Sequence, residues 1–221
     1  MTLAKAAKNG LVEARSNLFP GLAVWGAALL VLCLYFSVPA VKDTLDWIAD
    51  FRKKHDPLFT VIVFSIVGAL VPYLISLFNS EKEERDSVPA LLVKMAFWAA
   101  NGCATKSLFM YLNELIGKEN TPRNVAQKVV IDQFLYAPLL TVSLVTIVYL
   151  WCSKDLSIRR TREALEKKVF RYRFVETYIA NLAIWLPAAI IMFSVPAGLS
   201  LIFAMMMLAL WSVILAAMTQ S

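Results

Sequence analysis

Residues 129–152 read VVIDQFLYAPLLTVSLVTIVYLWC, with Asp132 the one charged side chain among them. About 20 apolar residues in a helix cross the hydrocarbon core of a bilayer, and lipid leaves no other way to satisfy the backbone of a single segment. Five further stretches read the same way: 21–41, 57–78, 88–116, 177–195 and 197–218. The sequence therefore predicts an all-α, multi-span transmembrane helical bundle of about six membrane helices. One bundle over residues 21–218 uses the chain, and residues 1–20 are expected to lie at the interface as a short basic amphipathic segment.

Composition agrees with that class. Of 221 residues, 59% are hydrophobic and the mean hydropathy is +0.64, well above the ~45–50% apolar content of soluble domains. The net charge of +6 is not a nucleic-acid signal, because the Lys and Arg residues fall mostly in loops, where they set orientation and meet lipid headgroups. No nucleic-acid partner is expected. Cys33, Cys103 and Cys152 read as small packing residues. The single His55, with no His/Cys cluster, points to no metal site or cofactor.

Six spans would place both termini on one side with thirteen basic residues, against seven on the other. The positive-inside rule then makes both termini cytoplasmic. Residues 153–173 interleave Lys and Arg with Leu156, Ile158, Leu165, Val169, Phe170 and Phe174. This pattern reads as a basic interfacial helix facing anionic lipid. The apolar run 21–41 follows Lys5, Lys8 and Arg15 and is expected to remain as a first span.

Polar groups inside the spans are the candidate functional residues, since each needs a partner or a wet cavity. Lys128, Asp132 and Tyr136 recur at i, i+4 and i+8 on one face, and Pro138 interrupts the backbone one turn on. Spans three and four are joined by a short loop and should form an antiparallel hairpin. Lys106 and Asp132 are then predicted to meet as an interhelical ion pair, with Gln133 or Asn101 as an added hydrogen-bonding group. Asn181 shares a face with Trp185. Ala96, Ala100 and Ala104 form a small-residue row suited to close helix approach.

Taken together, these features resemble the Mpv-seventeen / twenty-two-kilodalton peroxisomal membrane protein family. Lys128-x-x-x-Asp132-Gln133-x-x-x-x-Pro138 matches the family's K-x-x-x-D-Q-x-x-x-x-P segment without a gap. Gly102 to Leu112 looks like its G-P-x-x-x-x-W-Y-x-x-L stretch, and Trp185, Pro196 and Trp211 follow its W-P … V-P … W ending. The likeness covers about residues 60–216. Cys103, Leu108, Phe109, Ala69 and Ser200 depart from the pattern, which makes this a divergent member. The resemblance implies an integral protein of mitochondrial inner, peroxisomal or related membranes, or the plasma membrane if the chain is bacterial. It also implies four spans and a channel-like permeability or homeostasis role for small solutes.

Two functions follow as expectations. In one, Lys106, Asp132, Gln133, Asn101 and Asn181 line a path for small solutes. In the other, they brace a non-transporting structural or adaptor protein, with homo-oligomers among the expected assemblies. An intramembrane enzyme is not expected, because the spans hold neither paired aspartates nor a Ser–His or H-E-x-x-H arrangement.

Overall fold

The structure is a computed structural model that describes residues 3–16, 18–79, 86–166, 169–195 and 197–220. Every element among them is helical. In chain order these are α1 (Leu3–Ser16), α2 (Leu18–Ser37), α3 (Pro39–His55), α4 (58–79), α5 (Val88–Leu115), α6 (Pro122–Cys152), α7 (Ile158–Glu166), α8 (Val169–Ser194) and α9 (Ala197–Gln220). Pro196, Lys82, Arg85, Lys167 and Lys168 lie outside the described residues.

Helix ends follow local chemistry. Pro39 has no N–H to continue α2, and Val38 before it is extended, as the residue preceding a proline prefers. The chain bends by 108° there. Ser87 caps α5 by accepting from the Ala90 N–H, and Thr121 caps α6 by accepting from the Asn124 N–H; each cap precedes a proline in the first turn, which that turn tolerates.

The tightest helix pairing is α4 against α5. A side-chain carbon added at Gly68 would lie 2.5 Å from the Trp98 ring, and one at Gly102 would lie 2.5 Å from Phe64. Each helix thus offers a glycine and, four residues away, an aromatic that fills the other's glycine. Residues 64 and 102, and 68 and 98, lie opposite one another, so the helices are antiparallel. The predicted small-residue row does not make this contact: Ala96 and Ala100 are exposed, and the close approach is through Gly102.

The α5–α6 pairing is polar along most of its length. Lys128 Nζ donates to Asn113 Oδ1 at 2.7 Å, Thr105 and Tyr136 hydroxyls meet at 3.5 Å, and Thr141 Oγ1 donates to Asn101 Oδ1 at 3.3 Å. Farther along, Trp98 Nε1 donates to Tyr149 Oη at 3.1 Å. These pairs hold one antiparallel register from end to end. Outward, Val130, Phe134, Leu135, Leu139 and Leu144 are exposed, an apolar face fit for acyl chains.

Helix α8 packs on α6, α9 and α1. In the segment expected at the interface, residues 1–20, helix α1 is docked on α8. Gly10 of α1 sits against the Glu176 backbone, close enough that an added side-chain carbon would lie 2.6 Å from its carbonyl oxygen, and Asn9 Nδ2 donates to Glu176 Oε1 at 2.9 Å.

The count of about six membrane helices is also corrected. Among the described residues, three helices are long and apolar enough to cross a membrane: Leu58–Leu77, Pro122–Cys152 and Phe170–Ser194. The bent pair Trp25–Ser37 and Pro39–His55 makes a fourth if it acts as one span. Helix α5 is long, but Lys94, Asn101, Lys106, Asn113 and Glu114 lower its apolar character. In α9, the described apolar stretch is only Phe203–Ser212.

Nor do residues 153–173 form one basic helix. A turn with Asp155 and Leu156 in the left-handed region precedes α7, and Phe170 and Phe174 belong to α8. Three arginines are matched locally: Arg159 with Glu163, Arg162 with Glu166 and Arg160 with Asp155. Of the cysteines, Cys152 is buried, Cys103 is half-buried and Cys33 is exposed.

Because the aromatic rings fill the space a side chain would need, Gly68→Ala and Gly102→Ala are each expected to destabilise the bundle by about 1–3 kcal/mol, as overpacking does. Thermal unfolding in detergent reads this. Combining Gly68→Ala with Trp98→Leu should recover part of the loss, and an unshifted midpoint in both single variants would contradict the packing.

Candidate functional site

Two cavities open between α4, α5, α6, α8 and α9. The wider, about 450 Å³, is a vestibule at the end of the bundle formed by the loops around Asp56, Asn120 and Val195. Its wall carries Arg52, Lys106, Lys118 and Lys128 against one carboxylate, Asp56. The narrower, about 60 Å³, lies deeper and is lined by Asn101, Thr105, Asp132, Gln133, Tyr136, Thr141 and Asn181, with Trp98, Trp185 and Trp211 around them. Phe64, Thr105, Phe109, Met192 and Ala204 belong to both walls, so they form the partition. On the far side, Leu91, Trp98, Val145, Tyr149, Leu208, Trp211 and Ile214 pack into a dry core.

The inner cavity owes its polar lining to a distortion of α6. Residues Asp132–Thr141 form widened π-type turns around Pro138. With ~3.6 residues per α-turn, a residue nine positions on falls on the opposite face. The wider i→i+5 turns bring it back, so Asp132, Tyr136, Ala137 and Thr141 share one wall. In such a turn the Pro138 nitrogen would face the Gln133 carbonyl, but proline has no N–H to give. Tyr178 Oη of α8 donates to that carbonyl instead, at 3.1 Å.

Asp132 is 9% exposed and accepts from Gln133 Nε2 at 2.8 Å. No basic side chain among the described residues reaches it at ion-pair distance. Gln133 Oε1 and Asn181 Nδ2, both on residues 3% exposed, have no protein partner. Buried amide groups are rarely left so. A cavity of about 60 Å³ holds about four waters, taking ~15 Å³ for each.

The expected Lys106–Asp132 ion pair is not formed. Lys106 continues the row of Trp98 and Gly102 that faces α4, whereas Asn101 and Thr105 turn to α6. Lys106 Nζ instead contacts Asp56 Oδ2 at 2.7 Å, and Thr60 Oγ1 donates to Asp56 Oδ1 at 2.9 Å. This follows from the α4–α5 register, which sets Thr60 opposite Lys106. Burial works against ionisation of Asp56, but Lys106, Thr60 and Arg52 together hold its carboxyl below the usual carboxylate range.

Asn101, Asp132, Gln133 and Asn181 are therefore brought together, and Lys106 stands apart in the vestibule. Trp185 and Trp211 wall the inner cavity, Gly102 admits Phe64, Lys128 lines the vestibule and Pro138 shapes α6. Lys94, the other lysine of α5, pairs with Asp86 at 2.6 Å and sits over the Tyr149 ring. Sequence reasoning missed Asp56, Arg52, Thr105, Thr141 and Tyr178. A loop carboxylate one turn before a span that packs against a lysine-bearing helix was the available signal for Asp56. No family profile, curated protein or solved structure matches this chain.

Tyr178→Phe is expected to cost about 1–2 kcal/mol, the penalty for a buried carbonyl left unpaired. In a Pro138→Ala background the restored N–H can serve that carbonyl, so the same change should cost less. A double-mutant cycle by thermal unfolding measures the difference, and equal costs would refute the assignment. Asp56 also gives a pH signature. Its folded value lies below its unfolded one, so its contribution is present above about pH 4 and is lost as pH falls through the folded value. Lys106→Met should flatten that acid limb of the stability curve.

Proposed function

We propose that this protein is a channel-like permeability protein for small solutes, entered through the basic vestibule and narrowing at the polar cavity around Asp132. The observation that carries this reading is the pair of partnerless amide groups, Gln133 Oε1 and Asn181 Nδ2, aimed into a cavity adjoining an open vestibule. A bundle built only for packing would leave neither group unbonded. The dry core beyond Trp98 and Tyr149 closes the path at its other end, so the conformer is open on one side.

In this reading α5 also crosses the bilayer, since its contacts with α6 run from Ala90 to Asn113. Helices α4, α5, α6 and α8 then make four crossings, the number implied by the resemblance to the Mpv-seventeen / twenty-two-kilodalton peroxisomal membrane protein family. Membership of that family, and a bacterial plasma membrane or an organelle membrane as the location, are part of the proposal. Helix α1 docks at the start of α8, on the side of the basic loops; in this reading that side is cytoplasmic by the positive-inside rule, and the vestibule opens outward. The basic loop 153–173 would meet anionic headgroups on the cytoplasmic side.

Reconstitution into liposomes tests the reading. Small uncharged solutes such as glycerol should cross faster than through empty vesicles, and larger sugars should not. Gln133→Leu combined with Asn181→Leu should lower the flux several-fold. A folded sample with no flux above empty vesicles would favour the structural or adaptor role instead.

A further inference from the structure

The vestibule carries a charge imbalance that packing does not explain. Lys128 is only 2% exposed, yet its one hydrogen-bond partner is the neutral Asn113. An ammonium has three donors, and a buried cation without a counter-charge is costly. Arg52 adds a buried Nε with no partner on the same wall. Asp56 is contacted by Lys106 and Thr60 and also feels Arg52, so this one carboxylate faces four cations on the wall, and Lys118 at the mouth has no carboxylate among the described residues. The cavity is also far larger than a halide needs.

We propose that the vestibule is a binding site for a small oxyanion, a phosphate or carboxylate group, held by Lys128 and Arg52, with Lys118 drawing it in. This goes beyond the pathway proposed above, at whose mouth the site lies. A guanidinium and an ammonium lining one cavity suit an oxyanion, whose several oxygens accept charge-assisted bonds from such donors. Lys106 is excluded from the ligand set by its contact with Asp56. The phosphate could arrive free from solution or on a lipid headgroup, because the mouth lies at the loop end of the bundle.

The test uses the purified full chain in neutral detergent. Its unfolding midpoint is followed as sodium phosphate is added, against sodium chloride at equal ionic strength. A saturable rise specific to phosphate is expected. Arg52→Gln should raise the half-saturating concentration about tenfold, the loss of one bond to a charged group. Lys128→Met, which keeps the stem, should do the same; if it does not fold, Arg52→Gln decides. Short-chain phosphatidylglycerol is titrated in parallel. A rise with the lipid that leaves phosphate no further effect assigns the site to a headgroup, and a rise with phosphate alone assigns it to a free solute. A phosphate effect equal to that of chloride, or one unchanged in Arg52→Gln, overturns the site. Binding is read here without flux, so phosphate binding by a protein that passes no solute would refute the conduit and keep the anion site.

Discussion

Trp98 over Gly68 and Phe64 over Gly102 lock α4 and α5 at close range in one antiparallel register, and the placement of the polar groups of α5 follows from that contact. In lipid, helices gain little from burying apolar surface against one another, so close van der Waals fit and interhelical hydrogen bonds decide how they pair. Two glycines and two aromatics, each four residues apart, supply a fit that works in one alignment only. That alignment sets Lys106 beside Thr60 and within reach of Asp56. It also leaves the adjacent side of α5 free to present Asn101, Thr105 and Asn113 to α6.

Helix α6 answers with a backbone that has been widened. Pro138 denies the helix one donor, and the π-type turns from Asp132 to Thr141 spread that defect over ten residues. The result gathers onto one wall residues that a regular helix would scatter around its circumference. The hydroxyl of Tyr178 satisfies the carbonyl that the proline cannot, so α8 is tied to the distortion, and Asn181, one turn along, is brought to the cavity. Irregular backbone at membrane depth is tolerated where it faces protein or a polar cavity, and this segment does both.

Much of this was legible in the sequence, and the part that was not has a physical cause. Apolar run length gave the all-helical membrane class, and the rarity of polar residues at that depth pointed to Asn101, Asp132, Gln133 and Asn181. Run length overcounted the spans because it cannot see that Pro39 turns the chain by 108°, and because it passes over Lys94, Asn101, Lys106, Asn113 and Glu114, which lower the apolar character of α5. The pairing of Lys106 failed for a finer reason. Loop length predicts depth but not face, and one residue, about 100° of helix, separates Thr105, which turns to Tyr136, from Lys106, which turns to Asp56. Register is set by Gly68 and Gly102, which sequence periodicity treats as featureless. The α-helical spacing applied to Lys128, Asp132 and Tyr136 could not reveal that Thr141 joins them, because the widening appears only when the proline is placed among its neighbours.

The separation of charge is the feature that argues most directly against a purely structural bundle. Lys128 and Asp132 lie four residues apart on one helix, a spacing at which opposite charges commonly pair. Instead Lys128 turns to Asn113 in the vestibule, and Asp132 turns to Gln133 in the inner cavity. Pairing them would neutralise both at membrane depth, where an unpaired charge is most costly. Buried groups that break such a local rule are expected where function requires it. Here the two uncompensated groups face two adjoining cavities with only Phe64, Thr105, Phe109, Met192 and Ala204 between. Cation and carboxylate therefore lie one behind the other from the mouth inward, the order that the proposed solute path would use.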